Sequence, residues 1–212
     1  MLGYRGNETW RDMSEYLVHL TEEQSVTSIL STRALKGGGP FGAARNLTDR
    51  IGSQQAVCLS EIPLDRLDRL VERRGSYGLG FRKDWIQERD GAPVWYLRKG
   101  TAAATAFSEL VRKFLIGDID HENKGEIWKL TRFVDNPSAD YNYDFDWERE
   151  WRVPDDLALD PGKVMFLIAP EVAHTNINAA WWSYIESYPV PPVLDLAWDL
   201  ARLQEFLRMH QL

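Results

Sequence analysis

The sequence predicts an α+β protein, with a split, largely antiparallel β-sheet as its core and helices around it. Candidate strands and helices are mixed along the chain, without the regular strand-helix-strand alternation that is typical of parallel doubly wound folds. Hydrophobic residues make up 44% and aromatic residues 12% of the 212 residues, as expected of a chain that forms a packed core. No stretch has the composition of an interdomain linker, so we expect a single domain over residues 1–212.

The first predicted elements are a strand and a helix. Residues 15–20 form a mostly apolar run that predicts a strand. Thr21 and the acidic residues after it have the pattern of a capping box, in which side chains bind the free N–H groups of a helix start. Three apolar residues at helical spacing follow, namely Val26, Ile29 and Leu30. We expect this helix to end before the glycine- and proline-rich residues 35–40.

The next elements are predicted from short apolar runs. Residues 56–60 predict a buried strand, and Ile62-Pro63 begins a helix whose leucines share one face. Residues 77–81 and 93–97 are predicted to pair as strands, because an Asp-Gly turn lies between them.

The second half of the chain is predicted as a mixture of helices and strands. A helix is expected over residues 102–114 and strands over residues 127–133 and 164–169. Residues 135–146 are acidic and contain tyrosines, which indicates a loop. Pro191-Pro192 introduces a last amphipathic helix.

Residues 147–153 carry the main candidate chemistry. Side chains alternate across a strand, so Glu148 and Glu150 would share a face with Arg152, and the apolar residues between them would point into the core. Two carboxylates on one face can stabilise positive charge in a reaction. The same alternation is common in edge strands with a solvated charged face, so the residues leave both interpretations open.

Composition excludes several other classes. A net charge of -7 argues against a broad electrostatic contact with nucleic-acid backbone. The single cysteine, Cys58, cannot form a disulfide within the chain, and the four histidines lack metal-ligand spacing, so we expect no metal site. The start lacks the apolar run of a signal peptide, and the longest apolar run, residues 164–170, is too short for a bilayer. We therefore expect a cytoplasmic protein that does not contact membranes.

Several short signals occur in a recognisable order. They are His19-x-Thr21 at a strand end, the glycine loop, Ser60, residues 77–81 and residues 148–152. This order resembles the AbiGi family of abortive-infection antitoxins. More remotely, it is similar to ADP-ribosyltransferases, including the DarT-like enzymes that modify nucleic acid. The resemblance covers residues 15–170.

The remote resemblance implies that NAD is bound as a substrate in a cleft between two sheets. It assigns the catalytic role to Glu150, with Glu148, His19 and Tyr77 as the other catalytic candidates. The residues it implies in NAD binding are His19, Thr21, Arg45, Ser60, Tyr77 and Phe81. A carboxylate would stabilise the oxocarbenium character that develops on the ribose when the glycosidic bond breaks.

Several of these residues also have a structural interpretation. A histidine at a strand end often binds a neighbouring backbone group. Ser60 is equally suited to capping the helix that begins near Pro63. Tyr77 and Phe81 fit a core as well as a binding surface. The guanidinium of Arg45 matches the oxygens of a pyrophosphate, but arginines in surface loops are also common.

Two functions follow from the resemblance. The first is an NAD-dependent ADP-ribosyltransferase that modifies a protein or nucleic-acid acceptor in bacterial phage defence or a toxin-antitoxin system. The alternative is a non-enzymatic antitoxin or partner-binding module, in which the acidic residues 135–146 neutralise a basic partner. A cognate toxin or antitoxin is an expected partner in either case. The functions differ in whether His19, Tyr77 and Glu150 line one cleft with room for a dinucleotide.

Overall fold

The computed structural model of the chain describes residues 13–42, 45, 54–116, 124–137 and 146–212. The strands are β1 Tyr16–Thr21, β2 Ala34–Leu35, β3 Ala56–Ser60, β4 Tyr77–Arg82, β5 Ala92–Pro93, β6 Trp95–Tyr96, β7 Val134–Asp135, β8 Glu150–Pro154, β9 Leu157–Ala158, β10 Val164–Ile168 and β11 Val193–Leu194. The helices are α1 Glu23–Thr32, α2 Asp68–Arg74, α3 Lys83–Gln87, α4 Ala102–Ile116, α5 Lys124–Thr131, α6 His174–Ile185 and α7 Leu200–Met209. None of these described helices combines the length and the apolar character that crossing a bilayer requires.

Seven of the described strands form one sheet, in the order β11-β10-β4-β1-β3-β8-β5. Every neighbouring pair in this sheet is antiparallel except β10 with β11. Two small ladders accompany it, β2 with β9 and β6 with β7. The predicted α+β class with a largely antiparallel sheet is therefore confirmed.

The sheet is weakest between β1 and β3. These strands share a single register pair, Val18 with Ser60, whereas the β1–β4 ladder runs along the whole of β1. Seven of the described strands therefore form one sheet with a narrow seam between β1 and β3. The ADP-ribosyltransferase-like arrangement stays a prediction.

Helices cover both faces of the sheet. On one face, buried residues of α1 and α6 join the core around Leu17 of β1. On the other face, residues of α2 and α7 pack against Val18 and Leu20. Side chains of β1 alternate between the two faces of the sheet, so this strand contributes to the core on both sides.

Several predicted elements are confirmed. They are the first strand, the helix with its buried apolar stripe, the strand over residues 56–60, the helix that begins at Ala102 and the strand that begins at Val164. The predicted capping box is wrong, because Thr21 is the last residue of β1 and the N-cap residue of α1 is Glu22, which makes no side-chain cap. The helix predicted from Ile62-Pro63 is interrupted, as a 3-10 turn at Leu64–Arg66 precedes α2.

The predicted pairing of residues 77–81 with residues 93–97 is wrong. β4 pairs with β1 and β10. Gly80 allows β10 to pack closely on β4, because a Cβ atom at this position would lie 2.2 Å from ring atoms of Phe166. Residues 93–97 instead contribute to β5, which pairs with β8, and to β6, which runs parallel to β7.

Two further assignments are corrected. The strand predicted over residues 127–133 is mostly helix α5, in which the buried Ile127 and Thr131 are four residues apart, as expected for one helical face. The last helix begins at Leu200 and not after Pro192, because Asp199 caps it by accepting a hydrogen bond from the N–H of Arg202. Most of the predicted acidic loop, residues 138–145, lies outside the described residues.

Candidate functional site

The predicted strand over residues 147–153 begins later than expected. Asp146–Glu148 forms a 3-10 turn, and β8 starts at Glu150. Between them Arg149 has a left-handed backbone conformation, with φ of 45°. Arg152 shares the face of Glu150, as predicted, and Trp151 on the other face is buried in the core.

A cavity of about 100 Å³ lies at the seam between β1 and β3. Its polar lining residues are His19, Cys58, Ser60, Arg74, Glu148 and Glu150. The structure therefore brings the predicted histidine, serine and both glutamates together in one place, which we call the seam cavity. The β1 and β3 strands diverge there, so side chains occupy space that a regular ladder would fill with backbone hydrogen bonds.

His19 presents a hydrogen-bond acceptor in this cavity. Its Nδ1 atom lies 2.9 Å from the carbonyl oxygen of Cys58. A carbonyl only accepts, so Nδ1 carries the hydrogen and Nε2 of the neutral ring is an acceptor. No described residue forms a hydrogen bond with Nε2. Burial lowers the pKa of His19, against the opposing effect of the bond to Cys58, and the ring is neutral near pH 7.

The depressed pKa of His19 predicts a pH dependence of stability. The unfolded chain binds a proton more readily than the folded protein does, so the free energy of unfolding should fall as the pH drops from about 7.5 to about 5.5. His19→Asn keeps an N–H for the Cys58 carbonyl but does not titrate. Urea unfolding at several pH values should show a smaller fall for the variant. Equal falls in both proteins would contradict this assignment.

One carboxylate oxygen of Glu148 has no hydrogen-bond partner within the described part of the chain. Arg74 donates to Oε2 at 3.0 Å, whereas the Nε atom of Arg73 is 3.8 Å from Oε1. The side chain is only 5% exposed, and Oε1 is buried with no hydrogen bond among the described residues. A buried acceptor without a hydrogen bond is costly, so a donor from a ligand or a water would stabilise this site.

Glu150 is engaged on both oxygens. Arg152 donates from Nε to Oε1 at 2.9 Å and from Nη2 to Oε2 at 3.1 Å. Arg152 also donates to the carbonyl of Arg132 at 2.8 Å and to Asp135 at 2.7 Å, and its side chain is 1% exposed. The leading catalytic role assigned to Glu150 stays a prediction. In this geometry, Glu148 is the better placed of the two carboxylates to receive a ligand.

Cys58 and Ser60 have structural roles at the cavity wall. Burial raises the pKa of the Cys58 thiol well above its usual range, and the nearby charge of Glu150 acts in the same direction. Ser60 donates to the carbonyl of Glu148 at 2.7 Å and accepts from the N–H of Ile62 at 3.2 Å. The serine therefore holds the turn that presents Glu148.

The other predicted site residues do not line the seam cavity. Thr21 and Tyr77 are register partners at the last position of β1 in the β1–β4 ladder. Phe81 is fully buried, with its ring 5.2 Å from that of Trp85, which makes it a core residue. Arg45 is exposed, and its neighbouring residues 43–44 and 46–53 lie outside the described part of the chain.

Arg74 is the lining residue that the sequence did not indicate. It ends α2, where a run of arginines predicts an ordinary solvated face. Only the approach of α2 to the turn at Glu148 gives it a partner. A signal for this contact is missing from the local sequence, since the two residues are 74 positions apart.

The seam cavity is small. About 100 Å³ holds roughly three water molecules, whereas ligand sites usually measure about 300–1,000 Å³. A dinucleotide would extend well beyond this volume. NAD binding therefore stays a prediction. The two functions differ in whether His19, Tyr77 and Glu150 line one cleft. His19 and Glu150 line the seam cavity, and Tyr77 does not.

A larger concave surface lies between the edge strand β5 and helix α5. It encloses about 630 Å³, and its apolar lining includes Pro93, Trp95, Leu130 and Phe133. Trp95 is 55% exposed and Leu130 is 42% exposed. We call this surface the Trp95 groove.

Comparison with known proteins gives one match. A family described as "Putative abortive phage resistance protein AbiGi, antitoxin" matches residues 39–164. This segment is more than half of the chain and contains Glu148, Glu150 and the residues of the Trp95 groove, but not His19. No curated protein and no solved structure matches the chain.

Proposed function

The chain belongs to the AbiGi family, which is described as an antitoxin family of abortive phage resistance, and from this premise we propose that it binds and neutralises a cognate toxin. The observation that carries the proposal is the family match over residues 39–164. A cognate toxin is the partner that an antitoxin requires. The net charge of -7 favours a basic partner surface, because opposite charge speeds association.

The geometry of the candidate site supports binding more than catalysis. Both oxygens of Glu150 are occupied by Arg152. The seam cavity has room for only a few water molecules. An antitoxin that acts by direct contact needs neither a free carboxylate nor a large cavity.

We propose that the toxin contacts the Trp95 groove. Exposed tryptophans in concave apolar surfaces are common centres of binding energy, and apolar patches of this kind often mark interfaces. Trp95, Leu130 and Phe133 all lie in the segment that matches the family. The groove therefore gives the proposed function a specific surface.

Co-production with the cognate toxin tests this function. Cells that make the toxin alone should stop growing, and cells that also make this chain should grow. The purified proteins should elute together from a size-exclusion column, with the toxin inactive in the complex. Undiminished toxin activity, or neutralisation without a complex, would contradict the proposal.

A second candidate function is the NAD-dependent ADP-ribosyltransferase, acting on a protein or nucleic-acid acceptor. One observation favours it: His19 and Glu148 line the same cavity, and Oε1 of Glu148 lacks a hydrogen-bond partner among the described residues. A carboxylate in that state can stabilise a cationic ribose. Because the cavity is small, only one ribose of NAD would enter it, and the rest of the dinucleotide would lie outside.

Glutamine variants distinguish the carboxylates if the chain transfers ADP-ribose. With labelled NAD and a cell lysate, Glu148→Gln should lower the rate of label transfer about 100-fold, since Gln keeps the shape but not the charge. Glu150→Gln should instead lower the free energy of unfolding, because it leaves Arg152 incompletely paired. Transfer rates and urea unfolding should be measured for both. A wild-type protein that neither transfers label nor consumes NAD would eliminate this candidate.

A further inference from the structure

A separate pocket of about 370 Å³ lies beside Arg149. It shares Glu150 with the seam cavity, and its other walls come from the ends of β5 and β6 and from the turn at Asp146–Glu148. Its volume is in the range of small-molecule sites, about 300–1,000 Å³. We call it the Arg149 pocket.

The carboxylates that line the Arg149 pocket already have cationic partners. The ion pairs are Glu61 with Lys83, Asp146 with Arg98 and Glu150 with Arg152. Glu61 also accepts a hydrogen bond from the indole of Trp151 at 2.7 Å. The acidic side chains of the lining are thus neutralised within the protein.

Arg149 differs from these residues. Its side chain is exposed, and its guanidinium forms no hydrogen bond or ion pair with a described residue. Its backbone is in the left-handed region, which is strained for a non-glycine residue. Glu61 holds it there by donating its N–H to the Arg149 carbonyl at 3.1 Å. A guanidinium binds carboxylate or phosphate oxygens through two parallel hydrogen bonds.

Tyr96 supplies a second polar group. Its hydroxyl is buried beside the backbone of Glu150, and its O–H donates to no described residue. Burial, followed by the charge of Glu150, raises the pKa of this phenol, so the group is a donor at neutral pH. Apolar surface completes the lining at Met13, Pro93 and Val94.

We propose that the Arg149 pocket binds a small organic anion, with its carboxylate or phosphate on Arg149 and Tyr96 and its apolar body against Pro93 and Val94. The lining matches this class because, among the described residues, the guanidinium of Arg149 has no anionic partner and the O–H of Tyr96 has no acceptor. Ligand sites commonly combine an apolar lining with a few polar groups of this kind. The pocket shares Pro93 with the Trp95 groove and Glu150 with the seam cavity, whereas Arg149 and Tyr96 line neither of those two sites.

Isothermal titration calorimetry on the full chain tests the site with three matched probes. Benzoate and phenyl phosphate carry the two kinds of anion on the same ring, and benzyl alcohol is their neutral counterpart. At least one anion should bind with a Kd near or below about 1 mM, and benzyl alcohol should bind about tenfold or more weakly. The stronger of the two anions identifies the head group that the pocket prefers.

Variants connect binding to the two donors. Arg149→Ala and Tyr96→Phe should each weaken binding of the preferred anion about tenfold. Arg149→Gly removes the same guanidinium but relieves the backbone strain, so it serves if the alanine variant does not fold. Arg66→Ala, an exposed arginine outside the pocket, should bind like the wild type.

Three results would overturn the proposal. The first is that neither anion binds more tightly than benzyl alcohol. The second is that Arg149→Gly, with thermal unfolding like the wild type, binds the anion unchanged. The third is that Arg66→Ala loses as much affinity as the Arg149 variants, which would indicate a general charge effect.

Discussion

Replacing Trp95 with alanine is expected to weaken binding of the cognate toxin by about 30-fold or more. Tryptophans at the centre of an interface often contribute 2 kcal/mol or more when truncated, and 2 kcal/mol corresponds to about 30-fold in Kd. Trp95 is 55% exposed in the groove, so the free protein should lose little stability, about 1 kcal/mol or less. The measurement is the Kd for the purified toxin, together with growth rescue in cells that produce it.

Trp182 provides the matched control. It is 53% exposed, lies on α6 and is outside the segment that matches the family. Trp182→Ala should leave toxin affinity within about twofold of the wild type. Similar losses of toxin affinity in both variants would mean that the effect does not depend on the position of the tryptophan in the groove. An unchanged Kd in Trp95→Ala would remove the groove from the interface.

Local sequence patterns were sufficient to predict the elements that bury one face with regularly spaced apolar residues. The stripe of Val26, Ile29 and Leu30 predicts α1, and these residues are buried as expected. Strand pairing was not predictable in the same way. The partner of β4 is set by the fit between Gly80 and Phe166, which are far apart in the sequence, so the predicted pairing with residues 93–97 followed a turn signal that did not determine the partner.

The candidate site was likewise predictable in part. The remote resemblance placed His19 and the glutamates in one cleft, and the seam cavity brings them together. The environment of each carboxylate was not visible in the sequence. Glu148 leaves the strand because Arg149 turns the backbone, and Glu150 is occupied because Arg152 is buried against it and Asp135.

Arg152→Met is expected to lower the free energy of unfolding by about 3–5 kcal/mol. The substitution keeps a similar apolar volume but leaves the carboxylates of Glu150 and Asp135 buried without their cation, and breaking a buried ion pair from one side costs about this much. Arg112→Ala is the control, since its ion pair with Glu109 is exposed on both sides and is screened by solvent, so the free energy of unfolding should hardly change. Both values come from urea unfolding at neutral pH.

A triple variant separates lost charge pairing from lost packing. Arg152→Met combined with Glu150→Gln and Asp135→Asn removes the cation and both anions, so part of the stability lost in Arg152→Met should return, because neutral side chains cost less to bury than unpaired charges. No recovery would assign the loss to packing of the long side chain. A loss below about 1 kcal/mol in Arg152→Met would show that the buried network contributes little. The carboxylate of Glu150 would then be available to a ligand, and the preference for Glu148 at the seam cavity would lose its physical basis.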